Sequence, residues 1–279
     1  MLFINLPYLM EKSNRHFLSV IVPVYKQEKT LKKDILNILN SLNQIRYDFE
    51  LIIVVDGITI DSSYKIAKSI KNPHLKVIGY KYNHGKGYAI RYGMAHTRGD
   101  YVAFIDSGME IDPNGISMIL EHMEWYEADI IVASKRHPAS LVHYPFERKI
   151  ISFGAQIISR VLLGIKVSDT QAGLKIFKRN VLIKVLPRLL VKHYAFDLEI
   201  LSVANHLGFH RIYEAPIKLN YVFDSLTHAS GIRIIYKSLL DALAVFYRLR
   251  IIRYYDDKNK RKWIYNQDLN MRINTGEYE

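Results

Sequence analysis

The sequence predicts an α/β fold, a mostly parallel sheet flanked by helices. Short apolar, β-branched runs alternate with stretches of helical periodicity through the first 106 residues, in the order β-α-β-α-β-α-β. That alternation calls for crossover connections, and hence for parallel strands with helices on both faces. The strands also stop at polar motifs, Pro23-Val24-Tyr25, Asp56-Gly57 and Asp106-Ser107-Gly108, which a parallel sheet gathers at one edge as the makings of a pocket.

The elements follow from local pattern. Leu18–Tyr25 reads as a first buried strand, interrupted by Pro23. Leu31, Ile35, Ile38, Leu39 and Leu42 share one helical face within 30–42. Glu50–Val55 is a second strand, and Asp61 or Ser62 is placed to cap the helix carrying Ile66, Ala67 and Ile70. Leu75–Tyr80 is a third strand. Gly85-Lys86-Gly87 opens a helix through Met94, and 101–105 is the fourth strand. Beyond it, Asp129–Ser134 is a strand followed by Lys135-Arg136-His137-Pro138. Glu147–Leu163 is a long helix, with Arg148 and Lys149 at its start. A polar turn, Asp169–Gly173, precedes the strand Leu174–Phe177. Phe196 opens a helix through Leu207, Glu214–Ile217 begins an edge strand, and 224–231 reads as a loop. Ile232–Tyr255 is a long amphipathic helix.

The organisation expected is an N-terminal extension over 1–17, one α/β domain over 18–231, the amphipathic helix over 232–255 and a polar, basic tail over 256–279. Apolar residues make up 49% of the chain, enough for a full core. The absence of cysteine excludes disulfides, thiolate zinc sites and cysteine nucleophiles. A net charge of +12 favours an anionic partner: nucleic acid, an anionic membrane or a phosphorylated substrate. No stretch of 18 apolar residues marks a spanning helix, and Met1–Met10 lacks the basic region and cleavage site of a signal peptide, so a cytoplasmic body is expected.

The segment 98–110 carries the most chemistry. The apolar run Tyr101–Ile105 ends at Asp106, with Glu110 just beyond, where open α/β sheets bind ligands. Carboxylates there suit Mg²⁺ or Mn²⁺, and such a cation suits a diphosphate; an ordinary strand-to-loop turn is the plain alternative. Lys86, in a glycine-flanked turn before a helix, suits anion contact, with a solvated lysine as its alternative. This turn lacks the Gly-Lys-Ser/Thr ending of a Walker A loop. Arg148 near a helix start opposes the helix dipole, so either an anionic ligand or simple solvation accounts for it.

In order, Ser19–Tyr25, Ile52–Gly57, Lys86–Gly93, Gly99–Asp106, Asp169–Phe177 and Tyr194–Leu201 resemble the family-two inverting glycosyltransferases of GT-A fold. The nearer resemblance is to the polyprenol-phosphate (dolichol-phosphate) mannose and glucose synthases, and it runs from about residue 18 to 255. The resemblance implies transfer of a hexose from a nucleotide-sugar, of GDP-mannose or UDP-glucose type, to a polyprenyl phosphate. It places Pro23, Tyr25, Glu28, Asp56, Lys86 and Asp106 at the donor. It makes Asp106 the first position of an Asp-X-Asp metal motif whose second position here is Gly108, with Glu110 where some relatives have another oxygen ligand. Asp169 and Gln171 fall in the family's active-site turn.

The acceptor decides whether a base is needed. A sugar hydroxyl must lose a proton, which makes Asp197 or Asp169 the candidate base. A lipid phosphate is already ionised and needs cations to hold it; Lys135, Arg136 and Arg148 supply them, with Arg136, Arg148, Gln171 and Asp106 forming the expected catalytic set. The helix from Ile232 is apolar and aromatic, and Arg248–Lys262 adds seven basic residues against two acidic ones, the composition of a helix lying on an anionic membrane. Core packing of that helix is the alternative. A non-catalytic sugar-nucleotide scaffold is the rival motivated by Gly108, and charge alone, without a recognisable module, points to nucleic acid.

Overall fold

The computed structural model describes residues 16–141, 163–193, 195–219, 240–259 and 261–278. Its elements are β1 (Leu18–Val24), α1 (Leu31–Leu42), β2 (Phe49–Asp56), α2 (Ser63–Ser69), β3 (Leu75–Tyr80), α3 (Lys86–Ala95), β4 (Tyr101–Ile105) and α4 (Gly115–Trp125). They continue with β5 (Ile130–Ser134), β6 (Leu174–Lys178), α5 (Arg179–Val185), α6 (Phe196–His206) and β7 (Ile212–Pro216). A helix α7 over 240–246 winds into a π-helical turn at Tyr247–Ile251, and β8 (Arg261–Asn266) and β9 (Met271–Tyr278) close the chain.

Among the described residues, seven strands form one sheet in the order β3-β2-β1-β4-β6-β5-β7. All neighbours run parallel except β6, which is antiparallel to both β4 and β5. Every residue of β1, β2, β4 and β5 is buried, as expected of strands covered on both faces. One face packs on Leu31, Ile35, Ile38, Leu39 and Leu42 of α1 and on Ile116, Ile119, Leu120 and Met123 of α4. The other packs on α3, α5, α6 and α7, through residues such as Ile90, Val185, Phe196 and Val245. Each such side chain, fully buried, contributes about 1.5–3 kcal/mol.

Because β1, β2, β4 and β5 point the same way, the residues after them share one edge. The antiparallel β6 begins at that edge, with Leu174 opposite Ile105, and so brings the 169–173 turn beside Asp106. The reversed strand is what joins the two halves of the predicted site.

Several expectations change in detail. Helices α4 and α5 add to the predicted elements, and β7 begins at Ile212, two residues before the expected start, while keeping its edge position. The expected polar tail contains an antiparallel hairpin, β8–β9, turning at Asn270 in the left-handed region. Its inner face is held to the body: Arg261 stacks over the Tyr254 ring at 4.3 Å, and Tyr254 donates to the Asn274 carbonyl at 3.0 Å. The predicted helix 147–163, with Arg148, falls outside the described residues except for Leu163. So do the loop 224–231 and the first part of the predicted helix 232–255. No helix among the described residues is long and apolar enough to cross a membrane.

Candidate active site

A cavity of about 430 Å³ opens at the carboxyl edge of β1, β2 and β4, and Pro23, Tyr25, Asp56, Lys86 and Asp106 line it. Five of the six residues expected at a donor therefore meet. Glu28 is exposed and is not among the lining residues; its carboxylate accepts the Ser62 N–H at 3.0 Å and so steadies the start of α2.

Asp56 is 3% exposed, and its carboxylate accepts three hydrogen bonds, from Asn83 Nδ2 (2.6 Å), His84 N (2.7 Å) and Gly85 N (2.9 Å). It thus fixes the turn that launches α3. The expected contact to a base or ribose finds Asp56 on the cavity wall, already engaged with that turn.

That turn aims Lys86 across the cavity. Its ammonium donates to Asp106 Oδ2 at 2.6 Å, joining the start of α3 to the end of β4. The Asp106 N–H donates to the Gly173 carbonyl at 2.8 Å. A Cβ on Gly173 would lie 2.3 Å from Asp106 Oδ2, so only glycine lets the 169–173 turn approach this closely. Burial raises the Asp106 pKa, with the Lys86 ammonium opposing the rise. Its second oxygen, Oδ1, is buried without a hydrogen-bond partner among the described residues.

The expected metal set is only partly gathered. Glu110 is exposed and does not line the cavity, and no group of three or more His, Asp or Glu among the described residues could hold an ion. Gly108 has φ +95°, and a Cβ there would crowd Gln27 Nε2 at 3.3 Å, so the backbone itself disfavours the family's second aspartate. The unpartnered Asp106 Oδ1 nevertheless fits a cation completed by donor phosphates, since Mg²⁺ commonly takes one or two carboxylates and keeps phosphate or water for the rest.

Lys135 and Arg136 follow β5 at the same edge, both half-buried and outside the cavity wall. The Lys135 N–H donates to Asp169 Oδ2 at 2.9 Å, and the Asp169 and Ser168 N–H groups donate to Glu214 Oε1 at 3.0 and 2.8 Å. Asp169 therefore stitches the active-site turn to the basic turn, while Gln171 projects from it, exposed. Asp197, at the first turn of α6, is 3% exposed and pairs with Lys175 at 2.6 Å. Asn83 and His193 line the cavity, and Lys175 lies behind it; pattern reasoning passed over Asn83 and Lys175 and read His193 as a surface or packing residue. Lys175 had a signal, a charge in the middle of the apolar strand Leu174–Phe177. His193 had none, because it reaches the cavity from a distant loop.

The sheet order, with the cavity and its paired cation and carboxylate at the carboxyl edge, is that of a GT-A fold. The glycosyl transferase family 2 pattern matches residues 19–186, and the chain belongs to that family; it is a glycosyltransferase. A dolichyl-phosphate beta-glucosyltransferase of Dictyostelium discoideum is 31% identical over 220 residues, covering 72% of this chain and 67% of that protein. A UDP-N-acetylglucosamine–dolichyl-phosphate N-acetylglucosaminyltransferase of Methanococcus voltae is 29% identical over 254 residues, covering 84% and 95%. Glucosyl-3-phosphoglycerate synthase of Mycobacterium tuberculosis, solved with Mn²⁺, UDP and glucosyl-3-phosphoglycerate, shares the fold at TM-score 0.62 and 18% identity, covering 93% and 87%.

Proposed function

We propose that this chain transfers a hexose from a UDP-sugar, of UDP-glucose type rather than GDP-mannose, to a polyprenyl or dolichyl phosphate, with inversion at the anomeric carbon. The observation that carries the reading is the Lys86–Asp106 pair in the donor cavity, set beside the basic turn Lys135–Arg136 at one sheet edge. The dolichyl-phosphate beta-glucosyltransferase relatives support glucose and the lipid phosphate.

In this reading Pro23, Tyr25 and Asp56 form the base and ribose wall, with Glu28 bracing α2 beside it. Lys86 faces the diphosphate. A divalent cation would be held by Asp106, with Glu110 as the further carboxylate of the expected set, and would supply neutralisation of the leaving diphosphate. Lys135, Arg136 and Arg148 orient the acceptor phosphate, which attacks already ionised, with Gln171 beside it. A donated proton or a base is not required for that attack.

In this reading the polyprenyl acceptor calls for a peripheral position on a membrane, on its cytoplasmic face. Leu240, Leu243, Tyr247 and Ile251 are between 44% and 62% exposed and repeat at helical spacing, forming an apolar stripe beside Arg248, Arg250 and Arg253. That stripe supports peripheral attachment to an anionic surface.

A second donor sugar, N-acetylglucosamine, is favoured by the Methanococcus voltae relative, whose length is matched almost throughout. Detergent-solubilised protein should convert UDP-glucose and a polyprenyl phosphate into a lipid-linked hexose extractable into organic solvent. No lipid product with UDP-glucose, UDP-N-acetylglucosamine or GDP-mannose overturns the reading.

A further inference from the structure

The first turn of α6 carries the carboxylate, Asp197, that a hydroxyl acceptor would need as its base. Its surroundings do not suit a base. Asp197 is 3% exposed, and its Oδ1 takes a hydrogen bond from Lys175 Nζ at 2.6 Å. Lys175 is fully buried, and its ammonium has two further neighbours: it donates to the Ala172 carbonyl at 2.7 Å and lies 5.2 Å from the centre of the Phe104 ring. A buried ammonium with these partners is neutralised by Asp197 and held by it; an acceptor proton passed to Asp197 would leave Lys175 as an uncompensated buried charge.

Two of the three partners of Lys175 lie on the segments that meet at Asp106, β4 and the 169–173 turn. Phe104 is on β4 directly opposite Lys175 and two residues before Asp106. Ala172 precedes Gly173, whose carbonyl receives the Asp106 N–H and whose Cα packs on the Asp106 carboxylate. Lys175 does not line the donor cavity, so it acts on the reaction only through what it holds in place.

We propose that Lys175 is a positioning residue that locks the 172–173 turn, the end of β4 and the start of α6 around Asp106, and that Asp197 is its counter-ion and not a catalytic base. The inference rests on the proposed function in one respect: an acceptor that arrives ionised leaves the base position free for this structural pair.

The test uses the full chain and two variants, Asp197→Asn and the double variant Lys175→Met with Asp197→Leu. Replacing both members by apolar residues of similar size preserves folding where removing one strands a charge. Turnover against pH, UDP affinity by calorimetry and melting temperature are read for each. Asp197→Asn should melt lower, because Lys175 loses its counter-charge, yet lose no more than about tenfold in kcat and keep the wild-type pH–rate profile, because the amide oxygen still accepts from Lys175. The double variant should melt cooperatively yet bind UDP about fivefold or more weakly and lose about tenfold or more in kcat/KM. A loss on the order of 10²-fold or more in Asp197→Asn, with one limb of the pH profile gone, makes Asp197 the base and overturns the proposal. Wild-type UDP affinity and turnover in the double variant overturn it equally, since the pair is then packing alone. If the wild type makes no lipid-linked sugar, the functional reading fails separately, and UDP affinity in the double variant still decides the role of Lys175.

Discussion

Lys86 and Asp106, from the start of α3 and the end of β4, meet at 2.6 Å in the cavity at the carboxyl edge of the sheet. The contact ties α3 to β4 and leaves one oxygen of Asp106, Oδ1, buried without a hydrogen-bond partner among the described residues. Lys86→Met removes the counter-ion of Asp106 and, in the proposed reading, the cation facing the diphosphate. It should lower kcat/KM on the order of 10²-fold and weaken UDP binding in calorimetry. Unchanged nucleotide affinity would show that Lys86 serves only the fold.

Gly173→Ala puts a methyl 2.3 Å from Asp106 Oδ2, closer than any real Cβ contact. The carboxylate or the turn must move. Overpacking of this kind costs about 1–3 kcal/mol, and turnover should fall more than stability does. Denaturant unfolding alongside kinetics separates the two.

Asp56→Ala strands three donors of the 83–85 turn, two of them backbone N–H groups. A loss of about 2–4 kcal/mol in denaturant unfolding is expected, with a raised donor KM because Lys86 is launched from this turn. A variant as stable as the wild type would mean that solvent replaces Asp56 freely.

Glu199 is fully buried, and burial raises its pKa against the hydrogen bonds from Tyr255 and the Val191 and Leu190 N–H groups and the nearby Arg248 charge. The folded chain therefore holds this proton more tightly than the unfolded chain. Its contribution to stability is greatest in acid and declines as pH rises through the ordinary carboxylate range to the raised value. Glu199→Gln should lower the melting temperature yet flatten its decline as pH rises above the ordinary carboxylate range. A slope identical to that of the wild type contradicts the assignment.

The exposed stripe on α7 predicts that Leu243→Asp with Ile251→Asp reduces flotation with vesicles containing anionic lipid by about tenfold or more, with UDP affinity intact. Equal flotation places the membrane contact elsewhere.

Much of the site was legible because polar residues interrupt buried strands where a parallel sheet ends. Asp106 and Asp56 declared themselves that way, and Lys86 did so through the glycine-flanked turn before α3. Their partners did not, since Asp56 to the 83–85 turn and Asp106 to Gly173 are contacts between distant segments. Helix α4 carried its own signal at Ile116, Ile119, Leu120 and Met123 but followed a segment read for its carboxylates. The β8–β9 hairpin was hidden by composition: its outer positions, such as Lys262 and Tyr265, are exposed, and the charged Arg261 that anchors it reads as tail until the Tyr254 ring lies beneath it.

The most direct test of the central claim is the NMR spectrum of the lipid product formed from UDP-glucose and a polyprenyl phosphate. The account predicts a phosphodiester-linked glucose in the β configuration, from one displacement on the α-linked donor by a phosphate oxygen. An α-linked product, or glucose released to water with the polyprenyl phosphate unmodified, would contradict it.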